Sequence, residues 1–241
     1  MEVYVTLPQQ SQKIRMVAGK SILMVGGLFL LAYGSVMGIE AALGVAPWHV
    51  LHIGLTNHIP VTVGRSTQIS GFAILAVAMA LGVRPRMGTW INMFLVGQMM
   101  DAIISFGLVP GVSSMAMRVL YMLVGVYIAA LGVTAYMCAD MGTGPRDSLM
   151  LGVTRKTGWR VGIIRSSLES MAVLVGFMLG GPVGIGTVVA AFLTGPSVEI
   201  SLIMFSKLAK REYLSSIIVL PASVRFGRRT QVEAHASASS N

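Results

Sequence analysis

Gly142-Thr143-Gly144-Pro145-Arg146-Asp147-Ser148-Leu149 lies between two long apolar runs and is too polar to cross lipid. An earlier stretch, Gly44-Val45-Ala46-Pro47-Trp48-His49-Val50-Leu51, has the same setting. Both fit the frame Gly-x-x-Pro-x-x-x-Leu-x-x-Gly-x-Thr, completed by Gly54 and Thr56 in the first and by Gly152 and Thr154 in the second. Glycine permits the turn that precedes such a helix, and proline at the first helical position gives up an N–H that has no partner there. The frame predicts two short helices, starting at Pro47 and Pro145. At roughly three turns, about 18 Å, each would reach half-way through a bilayer and turn back. Their unpaired N–H groups and the positive end of the helix dipole would favour an anion. Irregular backbone at that depth persists only against protein or a watery cavity. Two readings stay open: a solute site between the two half-helices, or interfacial re-entrant hairpins that only shape the fold.

The shared frame is part of a longer repetition. Sliding the chain on itself by 98 positions matches the halves without a gap, Gly27 to Gly125, Gly34 to Gly132, Pro47 to Pro145 and Gly64 to Gly162. It also matches Gly88-Thr89 to Gly186-Thr187, Phe94-Leu95 to Phe192-Leu193, and Asp101 to Glu199. A repeat of this length points to a duplicated unit.

Composition says where the units sit. The chain has 241 residues, 54% hydrophobic and 11% charged, with a mean hydropathy of +0.76. Soluble domains carry about 25% charged residues, so most of this length belongs in lipid. Apolar runs at about 20–40, 65–83, 88–108, 115–138, 161–180 and 184–206 predict six spans. With the N-terminus inside, 16 of the 18 Lys+Arg fall on the inner side and only Arg65 and Arg118 fall outside. The net charge of +9 is therefore read as topology, and nucleic-acid binding is set aside. Glu2 and the basic Lys13, Arg15 and Lys20 precede a run too long for a signal peptide, so the first helix is expected to be retained. The fold class expected is an all-α integral membrane protein. It would have six transmembrane helices and two re-entrant half-helices in two inverted repeats of three spans, because successive units with an odd number of spans face opposite ways. The segments are 1–17, cytoplasmic; 18–111, repeat one; 112–208, repeat two; and 209–241, a basic cytoplasmic tail expected to be disordered.

Candidate site residues follow from this layout: Gly44, Pro47 and His49 on the first half-helix, Gly142, Gly144, Pro145 and Asp147 on the second, and the repeat-related acids Asp101 and Glu199. An acid within a span is costly and points to function, here a proton-coupled step; the structural alternative is a headgroup-facing or paired acid. Arg165 and Glu169, one turn apart, are expected to pair. Asn92 and Gln98 either line the same cavity or tie helices together. His49, His52 and His58 cluster without an acid among them, so a polar face is preferred over a metal site. Cys138, the sole cysteine, is expected to be a small buried hydrophobe. Gly142-x-Gly144-Pro145 lacks the third glycine and the preceding strand of a dinucleotide fingerprint. No cofactor and no enzymatic chemistry are expected.

Gly142-Thr143-Gly144-Pro145-Arg146-Asp147-Ser148-Leu149, with Gly152, Gly162, Gly184-Ile185-Gly186-Thr187 and Gly195-Pro196-Ser197-Val198-Glu199, resembles the bacterial YczE/YyaS/YitT family of membrane proteins over residues 18–206. The first half departs from the Gly-x-Gly-Pro form, with Ala46 at the second glycine. The resemblance implies a multi-pass protein of the bacterial plasma membrane and carries over no site residues. The leading expectation is a transporter or permease for a small, anionic solute. The alternative is a non-transporting membrane scaffold or accessory factor. The partners expected are the lipid bilayer, a small solute and a coupling ion; a homo-oligomer is compatible with both.

Overall fold

The computed structural model describes residues 9–209 and 217–220. Eight helices and no strands occur among them: α1 Gln9–Glu40, α2 Pro47–Thr56, α3 Val63–Ala80, α4 Met87–Ser105, α5 Met115–Cys138, α6 Pro145–Thr157, α7 Val161–Met178 and α8 Ile185–Leu208. Helices α1, α3, α5, α7 and α8 are long and apolar enough to cross a membrane. Helix α4 has 19 residues, but Asn92, Gln98 and Asp101 lower its hydropathy.

Each helix start has a local cause. Helices α2 and α6 begin at Pro47 and Pro145, where the sequence frame puts them. Their lengths, 10 and 13 residues, give about 15 and 20 Å, so α2 is shorter than the three turns expected. Helix α3 is capped by Thr62, whose hydroxyl accepts from the Arg65 N–H, and α5 by Ser114, which accepts from the Met117 N–H. Helix α1 starts at Gln9, upstream of the apolar run at about 20–40, and its 32 residues span about 48 Å, longer than a hydrocarbon core. The polar residues before Lys20 end the apolar run without ending the helix. Most of the expected tail, 209–241, lies outside the described residues; within it, Ile218 is buried against Ala135, Cys138 and Phe205, and the Val219 N–H donates to the Cys138 carbonyl at 2.7 Å.

The centre is the crossing of α1 and α5. A methyl group on Gly34 would lie 2.5 Å from the Gly125 carbonyl oxygen, and one on Gly132 would lie 2.5 Å from that of Gly27. Contacts that rise along α1 fall along α5, so the two helices run antiparallel. Lipid supplies no hydrophobic force between helices, and close backbone approach through small residues replaces it. Met24, Leu28, Ala32, Met100, Ile103 and Tyr136 form the main buried cluster beside this crossing.

Local backbone features recur 98 residues apart. Ala42 and Asp140 both take left-handed φ, 50° and 51°, just past the ends of α1 and α5. Gly82 and Gly180 do the same past α3 and α7, at 87° and 78°. The Gly88 N–H donates to the Met141 carbonyl at 3.1 Å, and the Gly186 N–H donates to the Leu43 carbonyl at 2.7 Å. Helix α2 packs on α7, and α6 packs on α3.

Candidate functional site

Helices α2 and α6 start without side-chain caps, because Ala46 and Gly144 stand where α3 and α5 have hydroxyls. The first-turn N–H groups of an α-helix have no partner within the helix. These two starts therefore present unpaired donors as well as the positive end of a dipole.

The starts meet through Trp48 and Arg146. The Arg146 guanidinium carbon sits 4.9 Å from the centre of the Trp48 ring, within cation–π range. Arg146 is half-buried and makes neither of the two ion pairs found among the described residues, Arg86–Asp140 and Arg165–Glu169. The second of those is the helical pair expected from the sequence, at 2.9 Å.

A polar nook surrounds Gly144. The Tyr136 hydroxyl donates to Asp147 Oδ2 at 2.7 Å. A methyl on Gly144 would lie 3.3 Å from that hydroxyl, 3.4 Å from the carboxylate and 3.6 Å from Asn92 Oδ1. Asn92 is only 6% exposed, and its Nδ2 has no hydrogen-bond partner. A buried amide donor left unmade costs about 1–3 kcal/mol, so an acceptor is expected to meet it.

A separate cavity of about 460 Å³ is lined by Arg84, Arg86, Arg155, Asp140, Thr89, Gly142 and Thr143, among others. Arg86 is paired with Asp140 at 3.0 Å, while Arg84 and Arg155 make neither ion pair. A neighbouring cavity of about 350 Å³ shares Arg86 and Asp140 as a wall and adds Lys20.

The sequence-derived candidates divide. Pro47 and Pro145 open the two helices, and Asp147 belongs to the nook with Gly144. Gly44 packs against Gly184 and Thr187, and Gly142 against Gly88 and Thr89, so both hold the short helices to the starts of α8 and α4. His49 is buried edge-on to His52, their ring centres 5.5 Å apart. His52 fastens α2 to α3, its Nδ1 3.0 Å from the Thr67 hydroxyl and its carbonyl accepting from Ser66 Oγ at 2.6 Å. His58 is exposed beyond the end of α2. Asp101 is not with the starts of α2 and α6. It accepts from the Gly64 N–H at 2.8 Å and from the Thr62 hydroxyl at 2.5 Å, holding the start of α3. Glu199 is exposed on α8. Gln98 is exposed as well.

Arg84, Arg86 and Arg155 were legible only as inner-loop charge. Asn92 was singled out without its orphaned amide. The meeting of Trp48 with Arg146 had one available signal: the two occupy the same position in the two repeats.

A family described as a family of unknown function, DUF6198, matches residues 18–203. The chain belongs to this family. DUF6198 coverage spans α2 and α6 and all but the ends of α1 and α8. The chain is 36% identical to the uncharacterized membrane protein YczE of Bacillus subtilis (strain 168) over 178 residues, 73% of this chain and 82% of that one. It is 30% identical to an uncharacterized protein of Haemophilus influenzae over 186 residues, 77% and 84% of the two chains. It is 24% identical to the uncharacterized protein YyaS of Bacillus subtilis over 191 residues, 78% and 93% of the two. No solved structure matches the chain. The resemblance carried by the Gly142–Leu149 stretch thus stands, and the family is one of multi-pass membrane proteins.

Proposed function

We propose that this DUF6198 chain is a membrane transporter for a small anionic solute, built as two inverted repeats of three spans with one re-entrant helix each. The observation that carries the reading is the contact of Trp48 with Arg146. In two units related by a twofold axis, equivalent residues touch only beside that axis. The uncapped N-termini of α2 and α6 therefore converge on one point between the repeats, as half-helices do around a transporter's solute. Inversion is supported by the antiparallel α1–α5 crossing, since equivalent spans that oppose one another belong to opposed units.

The charge at the point of convergence argues for an anion. Arg146 has no carboxylate in an ion pair, Asn92 offers an unused N–H, and the cavity that takes in Gly142 and Thr143, just before α6, is lined by three arginines and one acid. In this reading α4 is the sixth span, with Asn92 and Asp101 turned to protein. The chain resides in the bacterial plasma membrane with both termini and the arginine-lined cavity on the cytoplasmic side, following the positive-inside rule. Coupling to an ion is assigned to Asp101 and Glu199, and no bond-making chemistry is assigned to the chain.

The test is flux into proteoliposomes of the full chain, with radiolabelled phosphate, sulfate and succinate as probes. The reading expects saturable uptake of at least one probe above protein-free vesicles, and its loss in Arg146→Gln. Uptake equal to that of empty vesicles for every probe would contradict transport and favour the scaffold or accessory role.

A further inference from the structure

The first half closes α4 onto α3. A methyl on Gly97 would fall 2.5 Å from the Gly64 carbonyl oxygen. Asp101 binds the Gly64 N–H and the Thr62 hydroxyl, and Gln68 Nε2 donates to the Phe94 carbonyl at 2.9 Å. The residues 98 positions later are Gly162, Gly195, Glu199, Arg160, Ser166 and Phe192. A methyl on Gly162 or Gly195 would meet nothing within 4 Å. Glu199 is exposed and makes neither ion pair, and Phe192 is 78% exposed. Helix α7 packs on α2 and α6, helix α8 packs on α5, and α7 meets α8 marginally at most. The second half thus has the parts of a helix contact that only the first half makes.

We propose that α7 and α8 close on one another in a second conformation, through Gly162, Gly195 and Glu199, and that α4 parts from α3 in the same step, releasing Asp101. Three arguments carry it. Small residues at facing positions let two spans approach backbone to backbone, and Gly162 and Gly195 are the register positions of Gly64 and Gly97. A carboxylate on an apolar span is costly while unpaired. On closure Glu199 reaches the N-terminus of α7, where the Gly162 N–H and Arg160 stand in place of the Gly64 N–H and Thr62. Finally, two units with one sequence plan can each adopt either arrangement, and exchanging arrangements between inverted units turns a path from one face to the other. The use of this motion rests on the transport reading; its occurrence does not.

The experiment uses the full chain in proteoliposomes, with Cys138→Ala removing the sole cysteine and Gly162→Cys with Gly195→Cys introducing a pair. Oxidation is expected to join the two cysteines within one chain. Spin labels at Ser166→Cys and Phe192→Cys are expected to report two distance populations, one long and one short. Asp101→Asn removes a charged acceptor from the α3–α4 contact and is expected to raise the cross-linking rate roughly tenfold. Glu199→Gln is expected to lower it. A single long distance with no cross-link would overturn the proposal. Cross-links only between chains would overturn it too, by assigning this face to a second copy. Anion flux measured on the same vesicles separates the two claims: closure without flux leaves the motion and removes transport, and flux without closure does the reverse.

Discussion

The two halves share one backbone plan and differ in chemistry. Past α1 and α5 the chain turns through the same left-handed geometry at Ala42 and Asp140, and past α3 and α7 at Gly82 and Gly180. Around α6, however, stand Arg84, Arg86, Asp140 and Arg155, and the positions 98 away are Pro182, Gly184, Ala42 and Asn57. One set of residues is charged and its counterpart is neutral. Asn57 uses its amide to bind the Leu179 and Gly180 carbonyls at 3.2 and 3.1 Å, tying α2 to the end of α7, where Arg155 instead lines a cavity. A shared sequence frame accompanies the common backbone features, and different residues at a few exposed positions make the surroundings of α6 electrostatically distinct. The same holds for packing: Asp101 is engaged and Glu199 is not.

The largest test of this contrast is a pair of equivalent substitutions. Gly64→Leu drives a side chain into Gly97 and Asp101 and should destabilise the protein by about 3 kcal/mol or more. Gly162→Leu meets open space and should leave the thermal midpoint in detergent unchanged. Equal losses would mean that α7 and α8 are packed as α3 and α4 are. A middle-sized effect is expected at the nook. Tyr136→Phe removes the donor to Asp147 and should cost about 2 kcal/mol by the same measurement, a contact the first half lacks because Gly38 stands at the matching position. The smallest effect is expected in the charged set around α6. Arg86→Gln breaks an ion pair whose side chains are 62% and 51% exposed, so stability should change by less than about 0.5 kcal/mol while anion uptake falls.

The starts of α2 and α6 were legible to the residue because proline fixes φ and costs no hydrogen bond at that position. The longer apolar helices were legible because twenty or so mostly apolar residues with few charges have few alternatives to a span. The start of α1 was not. Gln9–Lys20 is polar enough to end a hydropathy window, yet nothing in it breaks a helix. The role of Asp101 was also hidden. Its carboxylate meets Thr62 and Gly64, nearly forty residues back, and only the α3–α4 packing brings them together. The arginine-lined cavity was missed for a similar reason: Arg84, Arg86 and Arg155 were separately explained by inner-loop charge, which gives no account of their convergence. Asn92 stood out as a polar residue in a span, but its unpaired amide depends on how Gly144 and Tyr136 approach it.

The central claim, that the two short helices belong to units facing opposite ways, rests on one further measurement. His58 and Lys156 occupy the same repeat position and are both exposed. In a Cys138→Ala background, His58→Cys and Lys156→Cys would each be labelled in intact cells with a membrane-impermeant maleimide. The account predicts that His58→Cys reacts from outside and that Lys156→Cys reacts only after the cells are opened. Labelling of both from the same face would contradict it.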